Sequence, residues 1–140
     1  MSKLIINTDG GARGNPGPAA VGVVIKTESG KILVKLSRKI GQTTNNVAEY
    51  TAVIEALKWL RENTNRQSFK EANKIQFLLD STLVVNQLNG LFKVKDSQLK
   101  ELFIEVRLLE GEVGGNIIYM VIPREKNWQA DSLVNQALDS

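Results

Sequence analysis

The sequence predicts an α/β fold in which a mixed sheet carries helices on its faces. Two observations carry that expectation. The first 40 residues read as three short apolar strands with no helical stretch between them, which favours antiparallel pairing. Beyond them, apolar runs at 75–79 and 116–122 are separated by stretches of helical period, which favours crossover connections. The element order is β, β-hairpin, α, β, α, α, β, α.

Residues 3–9 form the first strand, because Leu4, Ile5 and Ile6 make a continuous apolar run ahead of a glycine-rich stretch. Residues 20–27 (AVGVVIKT) and 31–39 (KILVKLSRK) are strands joined at Glu28-Ser29-Gly30, a hairpin signal. Over 46–63, Val53, Ala56, Leu57 and Leu60 recur at i, i+3, i+4 and i+7, one face of a helix. Residues 75–79 (IQFLL) form a buried strand, and a helix over about 81–89 follows until Asn89-Gly90 stops it. A further helix spans 97–110, a strand 116–122, and a terminal helix 127–138. No repeat, low-complexity tract or linker divides the chain, so residues 1–140 are expected to form a single domain around one core.

Composition narrows the chemistry. With 42% apolar and 24% charged residues the chain resembles a soluble globular protein. It has no cysteine, which excludes disulfides, thiolate zinc sites and cysteine nucleophiles. It also has no histidine, the commonest general base and transition-metal ligand. Acid–base or metal chemistry therefore falls to carboxylates. The formal charge of +3 permits a polyanionic partner without demanding one. No apolar stretch reaches membrane-span length, and Leu4-Ile5-Ile6 is too short for a signal peptide, so a cytoplasmic location with no membrane partner is expected.

Four acidic residues occupy unusual positions. Asp9 and Asp80 each follow a buried run; if those strands are parallel neighbours, both carboxylates emerge at the sheet edge where open α/β folds place ligands. Glu49 lies at i−4 from Val53 and i−11 from Leu60, along the core-facing stripe, where an isolated charge is costly. Asp131 shares a face with Val134 and Leu138 near the start of the last helix. Each has a simpler explanation: Asp80 as a helix cap, Asp9 as a turn residue, Asp131 as a first-turn acid, Glu49 as the partner of a lysine. These do not explain four together. Two carboxylates about 4 Å apart repel by roughly 4 kcal/mol at an effective dielectric of about 20, and a divalent cation relieves that repulsion. With oxygen donors alone the ion would be hard, Mg²⁺ or Mn²⁺.

Residues 7–17, NTDGGARGNPG, surround Asp9 with glycine. No Gly-Lys-Ser/Thr follows, so this is not a P-loop, and Gly11, Gly14 and Gly17 do not fit a dinucleotide fingerprint. Glycines beside a metal-binding carboxylate would let a substrate backbone approach closely, although such a stretch taken alone is more often a hairpin turn.

The blocks TDGGARGNPGPAA, TNNVAEYTAVIEAL, LLDSTLVVNQLNG and IPREKNWQADSLVNQAL resemble, in order, the four signature blocks of the type 1 ribonuclease H family. The resemblance covers nearly the whole chain. It implies a ribonuclease H-like fold, a five-stranded mixed sheet of three antiparallel then two parallel strands flanked by helices. It implies an endonuclease that hydrolyses the RNA strand of RNA–DNA hybrids and leaves 5′-phosphate and 3′-hydroxyl ends. The family's acidic positions match Asp9, Glu49, Asp80 and Asp131, expected to hold two Mg²⁺ ions per site with Mn²⁺ as a substitute. Gly10 and Gly11 border Asp9 where the hybrid would approach, and Asn15, Thr44, Asn45 and Asn46 match substrate-contacting positions. Amide side chains both donate and accept, as does the 2′-hydroxyl that separates RNA from DNA. One of the three residues 44–46 is also expected to cap the following helix.

Two departures from the family pattern stand out. The segment 89–96 is too short for the basic protrusion that many members use to grip the DNA strand. Lys93, Lys95 and Lys100 with Phe92 either serve in part or are a solvated surface beside a core phenylalanine. The position of a frequent loop histidine is Val121, and the nearest cation in that loop is Arg124. Arg124 is a candidate catalytic residue as a fixed charge; the alternative is a surface arginine paired with Glu125 or a nearby acid. Cleavage of double-stranded RNA, or a non-catalytic hybrid-binding module, are the competing functions. The protein is expected to be a monomer, and a free-standing domain rather than a piece of a reverse transcriptase.

Overall fold

The computed structural model describes residues 2–140. Five strands, β1 (Ser2–Ala12), β2 (Gly17–Thr27), β3 (Ile32–Thr43), β4 (Ala72–Leu79) and β5 (Ile117–Val121), form one sheet in the order β3-β2-β1-β4-β5. β1 pairs antiparallel with β2, and β2 with β3; β4 runs parallel to both β1 and β5. The expected sheet of three antiparallel and two parallel strands is therefore present. The helices are α1 (Asn45–Glu62), α2 (Gln67–Glu71), α3 (Thr82–Leu88), α4 (Ser97–Val113) and α5 (Trp128–Asp139), the last entered through a 3₁₀ turn at Arg124–Asn127.

The main core lies on one face of the sheet, where α1, α3 and α4 cover Leu4, Ile6, Val23, Ile25, Ile75, Phe77 and Leu79. α1 starts at Thr44, whose hydroxyl accepts from the Val47 backbone N–H at 3.3 Å. Its stripe of Val53, Ala56, Leu57 and Leu60 is fully buried, each large side chain contributing about 1.5–3 kcal/mol. α5 covers the other face through a smaller cluster of Ala20, Val134 and Ala137. No helix among the described residues is long and apolar enough to cross a membrane.

The glycine-rich stretch differs from the sequence expectation. β1 does not end at Asp9: Gly10, Gly11 and Ala12 continue it and pair with Val21, Ala20 and Ala19. The turn is confined to residues 13–16. The reason is packing. A Cβ at Gly10 would lie 2.1 Å from the Ala48 carbonyl oxygen, and one at Gly22 would lie 2.2 Å from that of Ala130. Glycine thus lets α1 and α5 approach opposite faces of the sheet beside Asp9. α2 was also absent from the sequence expectation; it is five residues long with no fully buried side chain, so it leaves no apolar period to detect.

Candidate active site

Parallel pairing of β1 and β4 carries two of the acids to one edge. Asp9 lies within β1, opposite Gly22 of β2, and Asp80 follows Leu79 at the end of β4. α1 brings Glu49 over Gly10, whose backbone N–H donates to Glu49 Oε1 at 2.8 Å. Carboxylate oxygens of Asp9, Glu49 and Asp80 lie within 4.8 Å of one another. Asp131, in the first turn of α5, stands outside that group of three but lines the same cleft, which Gly10, Gly11, Asn45, Asn46, Ser81 and Arg124 also border.

The simpler explanations for the acids divide. Asp80 is not the cap of α3: Ser81 holds that place, its hydroxyl accepting from Val84 N–H at 3.2 Å. Glu49 has no ion-pair partner among the described residues, and neither do Asp9, Asp80 and Asp131. Asp131 does lie in a helical first turn, as a dipole-favoured acid would.

Crowding without countercharge sets the electrostatics. Burial pushes the Asp9 carboxyl up from its ordinary value of 3.8 to about 7, with Asp80 and then Asp131 adding repulsion. Burial, then the charges of Asp9 and Asp80, also push Glu49 well above the usual carboxylate range. Asp9 and Glu49 are only 8% and 7% exposed. A buried anionic cluster built from hard oxygen donors alone fits a divalent cation of the Mg²⁺ or Mn²⁺ kind.

The polar loop residues brace one another. Asn45 N–H donates to Asn15 Oδ1 at 2.9 Å, and Ala12 N–H donates to Asn45 Oδ1 at 2.8 Å. Thr44 is the α1 cap, whereas Asn45 and Asn46 border the cleft. Arg124 also borders it and forms no ion pair with Glu125 or any other acid among the described residues, so the surface-pair alternative fails. Phe92 is 49% exposed and Leu91 72%, so Phe92 is not a core residue.

Sequence reasoning missed two residues. Asn127, 1% exposed, donates through Nδ2 to the Thr8 carbonyl oxygen at 2.9 Å and to Asp80 Oδ2 at 3.1 Å. Asn7 Nδ2 donates to Asn127 Oδ1 at 3.0 Å. One signal was available: an asparagine directly after the apolar run Leu4-Ile5-Ile6 and two residues ahead of Asp9.

A five-stranded sheet of this order and polarity, flanked by helices and carrying acids where β1 meets β4, has the ribonuclease H-like fold. Residues 7–137 match the family described as reverse transcriptase-like. LC11-RNase H1, isolated from compost, is 48% identical and superposes with a TM-score of 0.90 over 99% of this chain and 97% of that one. It is also known in complex with an RNA/DNA hybrid. RNase H1 from the halophilic archaeon Halobacterium salinarum is 36% identical, with a TM-score of 0.86 over 98% of both chains. The bifunctional protein Rv2228c of Mycobacterium tuberculosis is 39% identical over 139 residues, 99% of this chain and 36% of its own length. The chain thus spans about a third of the mycobacterial relatives it matches. The chain belongs to this reverse transcriptase-like family, as a type 1 ribonuclease H domain.

Proposed function

We propose that the protein is an endoribonuclease that hydrolyses the RNA strand of RNA–DNA hybrids and depends on Mg²⁺, with Mn²⁺ as a substitute. The observation that carries this reading is the gathering of Asp9, Glu49 and Asp80 within 4.8 Å in a cleft, with no cationic side chain paired to them among the described residues. The likeness to LC11-RNase H1, 48% identical with a TM-score of 0.90 and known in complex with an RNA/DNA hybrid, supports the substrate.

Asp9, Glu49, Asp80 and Asp131 would hold the ions, two per site. When bound, such ions supply Lewis acidity and stabilise charge on the phosphate and the leaving oxygen. The protein's own side chains then bind and orient. Gly10 N–H fixes the rotamer of Glu49 through its 2.8 Å bond. Asn45 and Asn46 offer donors and acceptors to the ribose 2′-hydroxyls, with Thr44 and Asn15 holding that loop in place. Gly11, beside Gly10, lines the cleft where the hybrid backbone would approach. Arg124 supplies a fixed positive charge to the scissile phosphate. Water is the attacking group, so the products carry 5′-phosphate and 3′-hydroxyl ends and the 2′-hydroxyl is recognised without reacting.

Cleavage of double-stranded RNA is the second reading, favoured by the short segment 89–96, which leaves Lys93, Lys95 and Lys100 with exposed Phe92 as the candidates to grip the second strand. A non-catalytic binding module is disfavoured, since such a module would gain stability by losing the acids' mutual repulsion. On this reading residues 1–140 act as one domain, as a monomer, in the cytoplasm. The test is incubation with end-labelled RNA–DNA hybrid, double-stranded RNA and double-stranded DNA, in Mg²⁺ or EDTA. Cutting of the hybrid's RNA strand in Mg²⁺ only supports the reading; cutting of DNA, or no cutting of hybrid, overturns it.

A further inference from the structure

β1 contains a polar residue that its packing does not require. Asn7 is 5% exposed, and its Oδ1 has no hydrogen-bond partner among the described residues. Leaving a buried acceptor unsatisfied costs about 1–3 kcal/mol, a cost that an apolar side chain at this position would avoid. The other half of the amide is engaged, because Asn7 Nδ2 donates to Asn127 Oδ1. Asn127 in turn spends both N–H bonds of its own amide, one on the Thr8 carbonyl oxygen and one on Asp80 Oδ2.

The order of these bonds has a consequence. An amide can be turned end for end, exchanging its oxygen for its NH₂. Turned the other way, Asn127 would set its oxygen against both the Thr8 carbonyl and the Asp80 carboxylate, three acceptors with no proton between them. The Asn7 N–H, by taking the Asn127 oxygen, holds the single orientation in which Asp80 receives a donor. The chain connects β1 to the end of β4 through a residue more than 110 positions distant from Asn7, just ahead of α5.

We propose that Asn7 and Asn127 are positioning residues that fix the Asp80 carboxylate for cation binding, Asn127 directly and Asn7 by setting the Asn127 amide. This rests on the metal-dependent reading above. Groups that hydrogen-bond a metal ligand hold its orientation, and their loss lowers metal affinity by about 10–100-fold. Asn7 thereby explains its own burial: its stability cost is exchanged for orientation of the site.

The experiment is calorimetric titration of Mg²⁺ into wild-type protein, Asn127→Ala, Asn7→Ala and the double variant, with melting temperatures in EDTA to establish folding. Asn127→Ala is expected to weaken Mg²⁺ binding about 10-fold or more. Asn7→Ala should shift it less, in the same direction, and should have no further effect once Asn127 is alanine, because its influence passes through that amide. Hybrid cleavage at limiting Mg²⁺ should lose kcat with KM for hybrid unchanged, and raising Mg²⁺ should recover much of it. If Asn127→Ala does not fold, Asn7→Ala and Asn7→Leu carry the test, since they leave the Asn127 side chain in place and remove only the bond that sets its amide. Unchanged Mg²⁺ affinity in the folded Asn7 and Asn127 variants, beside a wild type that binds and cleaves, overturns the positioning role alone. A wild type that neither binds Mg²⁺ nor cleaves hybrid overturns the underlying reading and this inference with it.

Discussion

The Gly10 backbone N–H reaches Glu49 Oε1 at 2.8 Å because the two residues meet where α1 crosses β1 with no side chain between them. A Cβ at residue 10 would sit 2.1 Å from the Ala48 carbonyl oxygen, a backbone atom that moves only if α1 moves. Gly10→Ala is therefore expected to cost about 1–3 kcal/mol, as overpacking does, and to lower kcat by displacing Glu49. Urea unfolding and hybrid-cleavage kinetics check it. A variant with wild-type stability and kcat would show that the close approach is not needed.

Removing charge from the cluster should trade activity for stability. Asp80→Asn and Glu49→Gln keep the shapes and hydrogen-bond acceptors of the side chains while relieving repulsion among the buried acids. Both variants are expected to lose cleavage and to melt above wild type in EDTA. Melting below wild type without metal would contradict the repulsion.

Burial of these acids, with their crowding added, gives a pH dependence of stability in metal-free protein. The Asp9 carboxyl titrates at about 7 when folded and near 3.8 otherwise. Within that window the folded state holds a proton that the unfolded chain releases, so stability falls as pH rises from about 4 to about 7 and levels off above. Glu49, also raised, acts in the same direction. At about 1.4 kcal/mol per pH unit the effect is on the order of a few kcal/mol. Urea unfolding in EDTA across this range, wild type against Asp9→Asn, should show the difference shrinking toward low pH. A wild-type advantage that grows with pH would reverse the sign.

Arg124 borders the acid cleft with no ion-pair partner among the described residues, in a chain that has no histidine. As a permanent charge it should contribute equally at every pH. Arg124→Ala is expected to lower kcat by a similar factor from pH 6 to 9, and Arg124→Lys to restore part of it. A loss confined to one side of a midpoint would point to a titrating group, and no loss at all would return Arg124 to the ordinary surface.

The sheet could be read from the chain because its information is local: continuous apolar runs, the turn at Glu28-Ser29-Gly30 and the period of Val53, Ala56, Leu57 and Leu60. The acids stood out because each interrupts such a pattern. Residues 10–12 were misread as turn because glycine serves turns and close packing alike, and only the position of α1 distinguishes the two. The pairing of Asn7 with Asn127 was hidden for another reason. The bond between them joins residues 120 positions apart, and the end of an apolar run at Asn7 does not say which distant side chain meets it.

The most direct measurement of the central claim is single-turnover cleavage of an end-labelled RNA–DNA hybrid by wild type and Asp9→Asn at saturating Mg²⁺. Asp9 lies among Glu49, Asp80 and Asp131, so its loss should remove the centre of the cluster. The RNA strand should be cut by wild type, left intact in EDTA, and cut by Asp9→Asn at least about 10³-fold more slowly, a loss of about 4 kcal/mol in transition-state stabilisation. Near wild-type cleavage by Asp9→Asn, or cleavage undiminished in EDTA, would contradict the assignment of these carboxylates as a metal-dependent catalytic centre.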